Sequence, residues 1–461
     1  MENDNGENPT KVNKYACACA IVASMISIIF GYDTGVMSGA MIYVKKEFQI
    51  NDAKTEILAG ILNLCALVGS LCAGRTSDKI GRRNTIMVAS VIFMIGSILM
   101  GYGPSYIALL VGRCIAGVGV GFALMIAPIY SAEVSSPSSR GFLTSLPEIG
   151  IRIAAIPSLF LAIGILKMPE SPRWLIMQGR VGEAKKILYK VSNSPQEAEI
   201  RLRDIKEAVG IDENCNDDIV KVPESAQTHG VWKELLLKPT PSLRWILIAG
   251  VGIHFFEHAT GIEAVILYSH KIFAKAGVHD TRKQILATVG VGLTKFTFIV
   301  LSTFLIDRVG RRKLLLTSLS GMVVTLAGLG FFLTIAENSG GTLIWALVLS
   351  IVTTYAVVMF FNIGLGPVTW VYSTEIFPLR YRALGAGIGV AVNRLMNATV
   401  SMSFLSISEA ITTGGAFFMF AGVSLVALIF FYFMCPETKG KSLEEMESVF
   451  TKGKSSENFN K

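Results

Sequence analysis

Residues Gly74 to Arg83 read GRTSDKIGRR, a basic loop set between two long apolar runs. Residues Asp307 to Arg312, DRVGRR, repeat its second part, again between apolar runs. The spacing agrees at both ends of the match: Asp307 stands as far beyond Asp78 as Arg311 stands beyond Arg82. A second pair of signals follows. Glu133 stands seven positions before Arg140, and Glu375 stands seven before Arg382. This constant spacing predicts two halves of one membrane protein, repeated in the same orientation.

Composition supports a polytopic membrane chain. Of 461 residues, 51% are hydrophobic and 16% charged, where soluble domains carry about 25% charged residues. Mean hydropathy is +0.53. The net charge of +8 is no nucleic-acid signal, because the basic residues flank apolar runs, as the positive-inside rule distributes them. The five histidines lack metal-ligand spacing, and the seven cysteines include no CxxC pair. Neither a metal site nor a disulfide framework is expected. No nucleophile–base constellation is present either, so the chain is not read as an enzyme and no cofactor is expected. The polar, acidic N-terminus does not read as a cleavable signal.

A helical crossing needs about 20 apolar residues. Eleven runs qualify, at 16–40, 57–74, 84–103, 106–130, 143–166, 246–270, 285–306, 314–335, 343–372, 384–407 and 415–435. The organisation expected is a cytoplasmic N-terminus (1–15), a first helical bundle (16–166), a polar linker (167–244), a second bundle of six helices (245–435) and a cytoplasmic tail (436–461). The linker holds 13 Lys+Arg and 12 Asp+Glu. Within it, Ile200, Leu202, Ile205 and Val209 recur at helical spacing, which predicts a surface helix.

Topology exposes an irregularity. Arg140 and the segment Pro169 to Trp174, PESPRW, both belong on the cytoplasmic side, so an even number of crossings must join them. The connection holds one apolar run. Its length, about 28 residues, extends about 42 Å as a helix, enough for one crossing. One span-equivalent is therefore expected to be missing near residues 149–153, giving 11 recognisable spans instead of 12. A span with its loop would take about 30–40 residues. A skipped exon or faulty gene model is one explanation, and a re-entrant segment is the other.

Eight motifs carry a family resemblance: GRTSDKIGRR, PIYSAEVSSPSSRG (128–141), PESPRW, DRVGRR, GPVTWVYSTEIFP (366–378) and PETKG (436–440), with GYDTGVMSGA (31–40) and HFFEHATGIEAVILYS (254–269) narrowing it. Together they resemble the sugar porters of the major facilitator superfamily, and most closely the plant polyol/monosaccharide proton symporters. The resemblance implies an all-α fold of two helical bundles with pseudo-two-fold symmetry. It implies proton-coupled symport of linear polyols or monosaccharides by alternating access, in a monomer embedded in the lipid bilayer. The plasma membrane is the expected location ahead of the vacuolar one, with both termini cytoplasmic. A non-transporting truncated isoform or sugar sensor is the alternative.

Candidate residues follow. Asp33 is a carboxylate inside an apolar run, costly and therefore functional by default, and Arg113 is its natural partner for proton coupling. Asp78, Arg82, Arg83, Glu133 and Arg140 form one expected cytoplasmic charge network, and Asp307, Arg311, Arg312, Glu375 and Arg382 its repeat. Glu257 and His258 stand where the family carries two glutamines that bond sugar hydroxyls. Gly261, four residues after Glu257, is expected to leave room beside it. Glu263 follows, and Lys295 in the next run is placed to neutralise either glutamate. Gly366 and Pro367 are expected to break their helix, and Trp370 to stack on a sugar's C–H face. Phe30, Glu148, Phe361 and Asn393 match family substrate positions.

Overall fold

The computed structural model describes residues 52–103, 105–134, 168–212, 231–237, 239–278, 280–338 and 343–440, with a few more between 15 and 50 and between 215 and 222. The described secondary structure is helical, with no strand. In the first half lie α1 (Asp52–Ile80), α2 (Arg82–Tyr102) and α3 (Tyr106–Val134). Short helices α4 (Pro172–Met177), α5 (Val181–Val191), α6 (Pro195–Val209) and α7 (Val231–Leu236) form the linker. The second half comprises α8 (Pro241–Ala259), α9 (Ile262–Leu267), α10 (Ser269–Ala276), α11 (Thr281–Val309), α12 (Arg311–Asn338), α13 (Ile344–Ile363), α14 (Leu365–Ile376), α15 (Arg382–Ile411) and α16 (Thr413–Met434). The run expected at 143–166 lies outside the described residues, as does that at 16–40 apart from Ala16, Ala18 and Cys19, and so do Phe30, Asp33, Arg140 and Glu148.

By length and composition, seven helical stretches among the described residues can cross a membrane. Helices α1 and α15, 29 and 30 residues long, are not among them. They carry Asn63 and Ser70, and Asn393, Arg394 and Asn397 respectively, because they pack on each other across the seam between the halves. The seam is close: a Cβ on Gly74 would stand 3.0 Å from the Ala383 carbonyl oxygen. Trp370, Ala386 and Val390 of the second half join the buried core of the first, with Val120, Phe122 and Ile126 of α3.

Two expected spans are broken helices. The 246–270 run stops at Ala259 and restarts at Ile262. The 343–372 run breaks at Gly364, two residues before the expected Gly366. Pro367 sits instead in the first turn of α14, where a missing N–H leaves no bond unmade. The freed backbone groups are satisfied from neighbouring helices. Ser302 Oγ donates to Ile363 O (2.6 Å), and Ser318 Oγ donates to Phe360 O (2.7 Å) while accepting from Leu365 N–H (3.0 Å). Broken backbone at membrane depth persists where protein supplies such partners.

The linker helices fold on a core of their own, in which Leu175, Ile176, Leu188, Leu202, Ile205 and Val209 are buried together with Leu379 of the second half. Ile200 departs from the expected stripe and is exposed; Ala198 takes its place on the buried face. The linker also docks on the first half. Arg173 donates to Glu133 O (2.9 Å), Arg201 to Glu133 O and Val134 O (3.3 Å each), and Trp174 Nε1 to Asp78 O (3.0 Å). The arginines meet the last carbonyls of α3, which have no partner within the helix.

Candidate functional site

Two matching clasps close the basic face. In the first half, Arg82 Nε donates to Glu133 Oε2 (3.1 Å) and Arg82 Nη1 to Asp78 Oδ1 (3.3 Å). In the second, Arg311 Nη2 pairs with Glu375 Oε1 (2.9 Å) and Asp307 Oδ1 (3.0 Å). Each glutamate also accepts a hydroxyl: Glu133 from Ser171, Glu375 from Thr438 (2.7 Å). Each clasp is completed by a second glutamate that caps the following helix. Glu170 accepts from the Arg82 and Arg83 amides (2.8 and 3.2 Å), and Glu437 from the Arg311 and Arg312 amides (2.9 and 3.1 Å). A carboxylate suits a helix N-terminus because unpaired N–H groups and the helix dipole both favour negative charge there. Burial nevertheless pushes the Glu170 carboxyl above its ordinary range, against the pull of the Ser171 and Arg83 amides.

Three members of the expected networks act differently. Arg83 and Arg312 enter through their backbone amides. The Arg312 side chain turns outward instead, donating to Tyr432 O (2.8 Å) and lying over the Tyr432 ring (5.4 Å). Arg382 is expected in the second-half set but approaches Glu133 of the first, Nη1 to Oε1 3.9 Å. Its position at the start of α15, on the seam, takes it across. Glu170, Ser171, Glu437 and Thr438 are visible in the sequence only as parts of the PESPRW and PETKG motifs. They repeat at a longer interval than the other pairs do, because Glu437 lies further beyond Glu375 than Glu170 lies beyond Glu133.

The end of α8 presents Glu257 and His258 to α15. Both are buried, as are Asn393 and Arg394 opposite them. Asn393 Nδ2 donates to Glu257 Oε2 (2.5 Å), and Asn393 Oδ1 lies 3.1 Å from His258 Nε2. His258 Nδ1 stands 3.4 Å from Glu263 Oε1, and His254 Nδ1 3.7 Å from Glu257 Oε2. Trp370 closes one side, its ring edge-on to His254 at 5.4 Å. Phe361 is buried against Gly366. Lys295 reaches the cluster from α11, within electrostatic range of His258. The space at Gly261 is not beside Glu257: a Cβ there would strike the Phe420 ring at 2.4 Å.

Arg394 is the residue that sequence reading missed. Its Nε donates to Asn393 Oδ1 (2.9 Å), Nη1 to Asn63 Oδ1 (3.3 Å), and Nη2 lies 3.3 Å from His258 Nε2. Glu257 and Glu263 both act on it electrostatically. The available signal is an arginine inside an apolar run, next to the already chosen Asn393. Arg113 is buried in α3; its expected partner Asp33 lies outside the described residues.

Residues 19–155 and 148–450 match the family described as sugar (and other) transporter. The chain is similar to probable polyol transporter 6 of Arabidopsis thaliana, 62% identical over 475 aligned positions, covering 97% of this chain and 96% of that protein. Polyol transporter 5 of the same plant is 54% identical over 471 positions, covering 96% and 87%. Among solved structures, the proton:xylose symporter XylE bound to 6-bromo-6-deoxy-D-glucose superposes with a TM-score of 0.81 at 24% identity, covering 95% of this chain and 100% of that one. The inward-open XylE from E. coli gives 0.64 at 25% identity, covering 94% and 100%. The first alignment takes in 97% of 461 residues, about 447, so about 28 of its 475 positions have no residue of this chain.

Proposed function

The chain belongs to the sugar transporter family and has the major facilitator fold; on that basis, we propose that it is a secondary transporter coupling uptake of an uncharged polyol or monosaccharide to a proton, by alternating access. The observation that carries this reading is the buried polar cluster between α8 and α15, beside the seam. A polyol offers hydroxyls that both donate and accept, and the pocket answers with both. The Glu257 carboxylate accepts, while His258 and Asn393 each have donor and acceptor sites. The carboxylate of Glu257 lies in the field of the Arg394 guanidinium, so the pair balances its charge and suits a neutral ligand. Trp370 and Phe361 supply apolar surface for C–H groups. The breaks beside the pocket, at Thr260–Gly261 and Gly364, are where family folds of this kind place a midplane site.

The clasps supply the closed state. Glu133 is bonded within its own half by Arg82 and approached from the other by Arg382, so rocking the halves apart separates Glu133 from Arg382 while Arg82 stays. Proton coupling is assigned to Asp33 with Arg113: protonating Asp33 removes the charge that would attract a guanidinium. The names of its relatives and of its structural neighbour, polyol transporters and a proton:xylose symporter, agree with this substrate class and coupling ion. A plasma-membrane monomer with both termini cytoplasmic is the arrangement proposed. The test is proteoliposome uptake of xylitol, mannitol and glucose under an imposed proton gradient. Uptake indifferent to the gradient removes the coupling, and no uptake of any hydroxylated solute removes the assignment.

A second reading rests on a separate observation. The family match comes in two segments that overlap at 148–155, and about 28 positions of the alignment with probable polyol transporter 6 have no residue of this chain. The repeat gives a similar deficit: Glu437 stands 62 positions beyond Glu375, whereas Glu170 stands 37 beyond Glu133. Tyr130 OH donates to Pro169 O (2.9 Å), so the described residues on either side of 135–167 meet at the same clasped face, and 33 residues separate Val134 from Met168. As a helix that segment reaches about 50 Å, short of two crossings of about 30 Å each. The chain then lacks a crossing of the first half and does not transport. Sequencing the transcript and genomic flank decides the origin: codons for one span and its loop, about 30–40, in the genome near residues 149–153 mark a skipped or misassigned exon, and their absence marks a chain built this way.

A further inference from the structure

Arg394 holds two sides of the molecule at once. On one side its bonds run to Asn393 and His258, the pocket. On the other, Nη1 donates to Asn63 Oδ1 on α1, across the seam, at 3.3 Å. Asn63 returns the connection, its Nδ2 donating to Asn397 Oδ1 (3.0 Å), and Asn397 Nδ2 lies 3.5 Å from His258 Nδ1. The result is a closed polar ring, Arg394–Asn63–Asn397–His258, that joins the halves beside the pocket. It is distinct from the basic-face clasps. Arg394 is twelve residues beyond Arg382, where α15 begins, or about 18 Å along the helix, near the middle of a hydrocarbon core about 30 Å thick.

We propose that Arg394 is a positioning residue that couples occupancy of the pocket to the seam; this rests on the transporter reading above. The physical reason is the guanidinium's fixed fork of donors. A ligand hydroxyl donating to Asn393 Oδ1 displaces Arg394 from that oxygen. The buried guanidinium then satisfies its donors on Asn63, on the opposite half, because an unmet charged donor in a buried site is costly. Ligand binding therefore tightens the contact between α1 and α15. Neutralising Glu257 alone would need a cation but no fork, and lysine would serve equally.

The test uses the full chain in lipid nanodiscs. Spin labels on a bio-orthogonal amino acid replace Lys54 and Glu409, exposed positions toward the far ends of α1 and α15, leaving the native cysteines in place. Without ligand, Asn63→Ala and Arg394→Gln each broaden the distance distribution toward longer values, and the double variant adds little to either. Arg394→Lys behaves like Arg394→Gln. Distributions unchanged in Asn63→Ala, or fully restored in Arg394→Lys, overturn the proposal, and Asn63→Ala serves if the arginine variants fail to fold. The ligand-free measurement is independent of substrate identity. In counterflow exchange, Asn63→Ala leaves polyol KM within about 3-fold and lowers kcat at least about 5-fold, the smallest ratio typical of coupled sites. An equal loss in both parameters, or in KM alone, also overturns it. A parent protein that binds no polyol, with the distance shifts intact, counts against the transporter reading instead.

Discussion

At the scale of single residues, the clasps and the pocket make opposite demands on their carboxylates. Glu375 is buried with Arg311 and Thr438 as fixed partners, so removing the arginine leaves a charge in apolar surroundings. Arg311→Ala should destabilise by about 3–5 kcal/mol, read as a fall in Tm in detergent. Arg311→Ala with Glu375→Leu should recover part of that loss, because both charges are then gone. Glu257 instead accepts from Asn393 at 2.5 Å, a role that a neutral amide oxygen also fills. Glu257→Gln should keep ligand affinity within about 10-fold. Glu257→Leu, which leaves the Asn393 amide buried without that acceptor, should lose about 1–3 kcal/mol of binding or stability. Affinity in a scintillation proximity assay separates the two variants. The pocket residues Glu257, His258, Trp370 and Asn393 are legible in the sequence as polar or aromatic interruptions of apolar runs. Arg394 interrupts its run in the same way, but only its burial and its bonds to Asn63 and His258 bring it into the cluster.

At the scale of elements, apolar length marks the helices and Gly marks the turns between them, but packing decides where helices break. Gly81 and Gly310 each form a one-residue turn, at φ 93° and 100°. A Cβ there would stand 2.4 Å from the Glu170 carboxylate and 2.6 Å from that of Glu437. Gly310→Ala should cost about 1–3 kcal/mol from the backbone alone, because φ 100° with ψ 158° is a region only glycine occupies readily. Adding Glu437→Ala removes the clash but not the backbone cost, so thermal unfolding should show incomplete rescue; full rescue would mean the backbone term is absent. The break at Gly364 cannot be placed from sequence, since Gly366 and Pro367 are the stronger breakers. It falls where Ser302 and Ser318, distant in sequence, can take the freed groups. The linker stripe fails at Ile200 for a related reason: the face of α6 is chosen by the helices it packs on, and Ala198 fits that contact.

At the scale of the molecule, the repeat explains most of the architecture and also marks its exception. Helices α2 and α12 begin at the equivalent Arg82 and Arg311, and counting on from each makes Gly101 the counterpart of Gly330. A Cβ on Gly330 would come within 2.8 Å of Gly414 O, because α16 packs there; among the described residues Gly101 has nothing within 4 Å. Beside it, a groove of about 340 Å³ runs along α2, lined by Ser90, Met94, Ser97, Ile98, Gly101 and Tyr102. The 37-against-62 interval agrees with a first half short of residues. A span with its loop needs about 30–40 residues; the alignment with the polyol transporter 6 relative narrows the deficit to about 28 positions. Restoring those residues should cover Ile98 and Tyr102 and lower their labelling by a membrane-soluble carbene probe. Labelling unchanged on restoration would detach the groove from the deficit.

The most direct test of the central claim, that this chain moves a neutral hydroxylated solute with a proton, is radiolabelled polyol uptake into proteoliposomes carrying the chain as it stands. Accumulation above the external concentration is expected under an inward proton gradient. It should be lost when the gradient is collapsed and in Asp33→Asn. No accumulation by this chain, with accumulation by a form in which the missing crossing is restored, would contradict the claim and identify this chain as the non-transporting form.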